Sequence, residues 1–273
     1  MHIKYHIKFV GEKENVVDFF DSDGVMIAYE VFEPATGSVS TVQEPVLLIH
    51  GFGSNGRINW ISPGWVKFLT EAGRQVIVID NRGHGESEKL YEAQDYDARI
   101  MADDAKRLLD HLNVERCDVM GYSMGARITA FLAMYNSEKV RCCVLAGMAD
   151  NLVRGFGRGD AIADALLADE ESEDMAPEPK AFRRFAQKTG SDLKALAACM
   201  LSRGHSIDKE MLATVSVPVL VVAGDVDDVA GPVEPLVALI PNAKGVVLPG
   251  RDHMNAVGDK GYKESVLAFF EAQ

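Results

Sequence analysis

The chain has 273 residues, 47% of them hydrophobic, and its 28 basic and 41 acidic side chains leave a formal net charge of −13. A chain this long buries about 75% of its unfolded surface, enough for one large α/β domain with no metal or disulfide staple. The acidic balance excludes nucleic acid as an expected partner, because a polyanion meets net repulsion and no Lys/Arg-rich patch is present.

Residues 3–10 alternate apolar and polar side chains as a strand does and lack the continuous apolar core of a signal peptide. No apolar stretch reaches membrane-spanning length, so a cytoplasmic protein without a membrane partner is expected. Strands are predicted next at 16–20 and 25–32, joined by Asp21-Ser22-Asp23-Gly24, whose Asx and Gly chemistry suits a hairpin turn. The pattern then changes to largely apolar strands at 46–49, 76–79, 117–120, 142–146, 219–223 and 246–248. Helical stretches at 66–72, 96–112, 123–135 and 261–271 accompany them. Strands apolar on both faces, alternating with helices, imply a mostly parallel sheet covered on both sides.

One interval breaks this rhythm. Residues 150–214 hold no strand pattern and read as helices at 161–168, 179–189 and 193–201, separated by Gly and Pro. An insertion leaving the chain after a parallel strand most easily lies over the C-terminal edge of the sheet, as a helical cap; the other arrangement has these helices patching the sheet's flank. The expected division is a core of residues 1–149 and 215–273 with the insertion at 150–214. Its acidic run, Asp169 to Asp174, reads as a solvated loop or helix flank. Cys117, Cys142, Cys143 and Cys199 form no CxxC pair and fit packing in a reducing compartment better than redox or metal chemistry.

The most informative motif is Gly121-Tyr122-Ser123-Met124-Gly125, between a short apolar strand and a helical stretch. Strand, GxSxG, helix is the context of a nucleophile elbow, where a tight turn strains the serine and leaves its neighbours no room for a side chain. A helix N-cap serine is the plain alternative for Ser123 taken alone. A reactive serine needs a histidine to take its proton and a carboxylate to orient that histidine, in the chain order Ser, Asp or Glu, His. The strand at 219–223 runs into Gly224-Asp225-Val226-Asp227-Asp228, and the one at 246–248 into Pro249-Gly250-Arg251-Asp252-His253. His253 alone among His50, His84, His205 and His253 follows the last strand. For the acid, Asp225, Asp227 and Asp228 crowd one loop, and Asp150 after the strand at 142–146 is a further candidate.

Two more motifs stand at strand ends in order: His50-Gly51-Phe52-Gly53, and Asp80-Asn81-Arg82-Gly83-His84-Gly85-Glu86-Ser87. With these the chain resembles the α/β-hydrolase fold superfamily over nearly all its length. The resemblance implies a mostly parallel eight-stranded sheet flanked by helices, with a helical cap insertion. It matches Ser123 to the nucleophile, Asp227 to the acid, His253 to the general base, and the backbone N–H groups of Phe52 and Met124 to the oxyanion hole. In that frame His50 supports the oxyanion loop and His84 the turn structure.

A serine with an oxyanion hole performs acyl transfer, so the expected partner is a small-molecule acyl substrate, a carboxylic ester above all. The alternatives are a carbon-carbon bond hydrolase of aromatic ring-cleavage products, which keeps the same triad, and a receptor on the same fold with the triad idle. Serine at 123 counts against the aspartate-dependent dehalogenases and epoxide hydrolases of the superfamily. No nicotinamide, flavin or metal cofactor is implied, since GxGxxG, HExxH and zinc-type cysteine patterns are missing. Phe52, Met124, Trp60, Trp65, Tyr122 and the Met- and Leu-containing insertion offer an apolar substrate lining with no evident cationic clamp, although both tryptophans suit the core equally well.

Overall fold

The computed structural model describes residues 17–42, 44–155, 157, 159–202 and 204–273. The strand expected at 3–10 lies outside them. The strands are β1 (Asp18–Ser22), β2 (Val25–Phe32), β3 (Val46–Ile49), β4 (Val76–Ile79), β5 (Cys117–Tyr122), β6 (Val140–Ala146), β7 (Val219–Gly224) and β8 (Ala243–Leu248). They form one eight-stranded sheet in the order β1-β2-β4-β3-β5-β6-β7-β8. The β1/β2 and β2/β4 pairs are antiparallel, and every pair from β4/β3 to β7/β8 is parallel. This is the α/β-hydrolase fold, with helices inserted between β6 and β7.

The helices are α1 (Trp65–Glu71), α2 (Ala98–His111), α3 (Met124–Tyr135), α4 (Asn151–Arg154), α5 (Gly159–Leu167), α6 (Pro177–Lys188), α7 (Leu193–Leu201), α8 (Lys209–Leu212), α9 (Val233–Val237) and α10 (Lys260–Glu271). Their ends follow local chemistry. Asp97, Asp192 and Asp259 accept hydrogen bonds from the first N–H groups of α2, α7 and α10, and Pro177 opens α6, where its missing N–H costs nothing.

Strand geometry explains why the central segments are apolar throughout. Alternate residues face opposite sides, so Leu47, Ile49, Ile77 and Ile79 pack with α2 and α3, while Val46, Leu48, Val76 and Val78 pack with α1 and α10. Burying each such side chain contributes about 1.5–3 kcal/mol. Inside β5 the carboxylate of Asp118, fully buried, accepts from Arg74 Nη2 at 2.6 Å and from Arg141 Nε at 2.8 Å. This pins the end of β5 opposite Ser123 to its neighbours. The inserted helices build a separate small core from Ile162, Leu166, Ala186 and Leu196. Among the described residues no helix is long and apolar enough to cross a membrane.

Candidate active site

Ser123 sits between the last residue of β5 and the first of α3, with φ 55° and ψ −116°. A side chain at either flanking glycine would collide with backbone. A Cβ on Gly121 would lie 2.1 Å from the carbonyl oxygen of Gly125, and one on Gly125 would lie 2.0 Å from that of Ile49. The left-handed conformation of a non-glycine residue costs on the order of 1–3 kcal/mol, and the surrounding packing holds it. The turn thrusts the hydroxyl out over the C-terminal edge of the sheet.

Two loops bring the partners. His253 follows β8, where the Asp252 carboxylate accepts from the N–H groups of Met254 at 2.9 Å and Asn255 at 2.8 Å. From this turn His253 Nε2 lies 3.1 Å from Ser123 Oγ, and Nδ1 lies 3.0 Å from Asp227 Oδ2 and 3.1 Å from Oδ1. Asp227 follows β7, and its buried Oδ1 also accepts from Val229 N at 3.0 Å and Ala230 N at 2.9 Å. The carboxylate fixes the tautomer with the proton on Nδ1, which leaves Nε2 free to accept from the serine hydroxyl. Gly224 lets the two loops pass: a Cβ there would stand 1.8 Å from the carbonyl oxygen of Arg251.

The other carboxylates point elsewhere. Asp225 accepts from Gly250 N at 2.6 Å, Asp228 is exposed, and Asp150 pairs with Arg154 at 2.6 Å. His205 meets Asp97, with Nδ1 at 2.5 Å from Oδ2. His50 is buried under the loop carrying Phe52. Its Nδ1 donates to the carbonyl of Gly51 at 2.8 Å, and its Nε2 accepts from Asn81 N at 2.9 Å. Burial pushes its pKa down to about 4, so it stays neutral and acts as a strut. His84 packs against the rings of His50 and Phe52, with Nδ1 on the carbonyl of Arg82. Burial and His50 lower its pKa to about 3.

Phe52 and Met124 line the same cavity as Ser123. Met124 opens α3, so its N–H has no acceptor within the helix. Among the described residues no loop carbonyl accepts from either N–H. The neighbouring Gly51 N–H is taken by Asn59 Oδ1 at 3.1 Å, which fixes the loop from beneath.

Above the serine opens a cavity of about 480 Å³. Its walls include Ser123, Phe52 and Met124 from the sheet side, and Phe182, Met200 and Leu201 from α6 and α7. Trp60 and Tyr122, expected as substrate contacts, are not part of it. Trp60 is 0% exposed and stacks edge-on against the equally buried Trp65, whose Nε1 donates to the carbonyl of Val257 at 2.7 Å. Both rings are large enough to fill the space between the sheet and α10, and apolar burial claims them. Tyr122 lies under the elbow and donates to the carbonyl of His253. The cationic group absent from the sequence expectation is Arg127, which lines the cavity. Its signal was the spacing from Ser123: four residues on, one turn of helix, the same face.

The model of the alpha/beta hydrolase fold family matches residues 44–196. A non-heme chloroperoxidase from Kitasatospora aureofaciens is 28% identical over 247 residues, covering 79% of this chain and 88% of that protein. A 2-hydroxymuconate semialdehyde hydrolase from Pseudomonas sp. is 37% identical over 105 residues, 38% of this chain and 36% of that protein. Among solved structures, a thermophilic esterase from Thermogutta terrifontis superposes with a TM-score of 0.72 over 100% of this chain and 98% of its own, at 20% identity. An enol-lactonase from Burkholderia xenovorans gives 0.70 over 92% and 99%, at 22% identity. At such identities the likeness is one of fold. With the family match spanning more than half its length, the chain belongs to the alpha/beta hydrolase fold family.

Proposed function

We propose that the protein is a serine hydrolase that cleaves a carboxylic ester, or a related acyl bond, through an acyl-enzyme. The observation that carries this reading is the bridge made by His253, whose two ring nitrogens lie 3.1 Å from Ser123 Oγ and 3.0 Å from Asp227 Oδ2. In the proposed first step Ser123 Oγ attacks the carbonyl carbon while His253 Nε2 takes its proton, and the Asp227 carboxylate stabilises the imidazolium. The oxyanion is held by the N–H groups of Phe52 and Met124, each worth about 2.7–4 kcal/mol in the transition state. Collapse expels the alcohol with the proton from His253. Water then attacks the acyl-enzyme, His253 takes its proton, and the acid departs with Ser123 restored.

In this reading residues 150–214 cap the core formed by 1–149 and 215–273, and the apolar rings and thioethers over Ser123 bind the substrate. Turnover of p-nitrophenyl esters, with fluorophosphonate labelling at Ser123 on tryptic mapping, tests it. No turnover together with no label would favour the receptor role. The carbon-carbon bond hydrolase reading draws on the 37%-identical stretch shared with the semialdehyde hydrolase. A ring-fission dienone acid offered against the same esters separates the two, since only that enzyme would prefer it.

A further inference from the structure

Arg127 stands about 6 Å along α3 from Ser123, on the same face, and both line the cavity. Its guanidinium holds five N–H donors and remains protonated. Nη1 donates to the carbonyl of Leu152 at 3.2 Å and Nη2 to that of His205 at 2.6 Å. Leu152 lies in α4, just after β6, and His205 lies between α7 and α8, so two points of the inserted segment hold the fork. Three of the five donors are left over by these bonds.

Both acceptors are neutral. In the core, Arg74, Arg82 and Arg141 each meet a buried carboxylate at 2.5–2.7 Å; Arg127 meets none at such range among the described residues. Asp97 acts on it electrostatically from farther off, but that carboxylate is bound to the His205 ring and caps α2 through Arg99 N. A largely desolvated cation without a counter-ion is costly, and an arriving anion offsets the cost with a charge-assisted, two-pronged contact. Among the described residues that line the cavity, Asp160 is the one carboxylate and Arg127 the one arginine or lysine, so within them an anion is drawn to the guanidinium.

We propose that Arg127 is a carboxylate-recognition residue, and that the acyl substrates carry a carboxylate a short chain away from the scissile carbonyl, as short dicarboxylic half-esters do. This inference rests on the reading of Ser123 as nucleophile. The spacing sets the class: Arg127 lies one helical turn beyond the residue that carries the attacking oxygen, and both line one cavity of about 480 Å³, which suits acyl chains of a few methylenes and excludes long fatty chains bearing a distant charge.

The test compares the p-nitrophenyl half-ester of glutaric acid with the same compound methylated at its free carboxylate, in wild type, Arg127→Met and Arg127→Lys. The wild type should favour the anionic ester in kcat/KM by at least about tenfold. Arg127→Met should bring that ratio to one or below, mostly through KM, and Arg127→Lys should restore part of it; circular dichroism checks that both fold. A wild-type ratio near one, or a ratio unchanged in Arg127→Met, overturns the proposal. If neither ester turns over, the nucleophile reading has failed, and glutarate is titrated by calorimetry into Ser123→Ala and Ser123→Ala/Arg127→Met. At least about tenfold weaker binding in the double variant supports the carboxylate site; equal or undetectable binding in both overturns it.

Discussion

The phenol of Tyr122, the residue before the elbow serine, donates a 2.6 Å hydrogen bond to the backbone carbonyl of His253. The strand end that presents Ser123 is thereby tied to the loop that presents the imidazole. Burial pushes the phenol's pKa well up, so it remains a donor at every working pH. Tyr122→Phe should cost about 1 kcal/mol of stability for the lost hydrogen bond. It should also lower kcat about tenfold with little change in KM, because misplacing a reacting group by a fraction of an ångström is felt in the chemical step. Steady-state kinetics with p-nitrophenyl butyrate and urea unfolding check both numbers.

Removing the bridge itself has a larger expected effect. Asp227→Asn should lower kcat by about 10⁴, since the imidazole then loses its tautomer and its counter-charge. Asp150→Asn, whose buried carboxylate pairs with Arg154 and makes no hydrogen bond to His253, should change it less than about threefold, because the triad's hydrogen bonds stay intact. The opposite order, measured on the same ester, would move the acid to the end of β6.

The elbow glycines should tolerate no methyl group. Gly125→Ala would set a Cβ 2.0 Å from the carbonyl of Ile49, and forcing β3 away from α3 should cost about 3 kcal/mol or more. Chemical denaturation should show a lower midpoint, or the variant should fail to accumulate in soluble form. Gly155→Ala is the comparison for open space, since nothing lies within 4 Å of its Cβ, although its φ of +76° adds about 1 kcal/mol of strain.

Acid should unfold the protein through its buried histidines. His50 and His84 have folded pKa values of about 4 and about 3, against about 6.5 unfolded. Between pH 6.5 and 4 the unfolded chain therefore binds more protons, and stability present above pH 6.5 is lost as pH falls, by about 3 kcal/mol for His50 alone. Glu30 works the other way. Burial raises its pKa to about 7, so its stabilising proton is kept below pH 4.5 and lost as pH rises through 7. Glu30→Gln should gain about 1–2 kcal/mol at pH 8, discounted for partial exposure, and almost nothing at pH 4.5. Urea unfolding at pH 4.5, 5.5, 7 and 8 gives both slopes.

Much of this architecture is readable from local pattern. Apolar runs such as Val46–Ile49 and Val76–Ile79 appear as β3 and β4 with those bounds, because a strand buried on both faces needs apolar side chains at every position. The short turns of helix α4, α8 and α9 escaped that reading, since four or five residues are too few to establish a period. The candidate site divides in the same way. The elbow is local, so its glycines and serine can be recognised in five consecutive residues, and the order of strands puts a carboxylate and an imidazole on neighbouring loops.

Sequence by itself determined where the sheet strands from β1 to β8 and the longer helices lie, and that a strained serine stands at a strand end. Periodicity and turn chemistry depend only on neighbours along the chain. The tertiary structure decided which of four carboxylates reaches the imidazole, that Trp60 and Trp65 fill the core and leave the cavity to smaller walls, and that among the described residues Arg127 meets no carboxylate at ion-pair range. Each of those outcomes depends on the distance between loops remote in sequence, and the packing of α1 and α10 on one face of the sheet and of α2 and α3 on the other sets that distance.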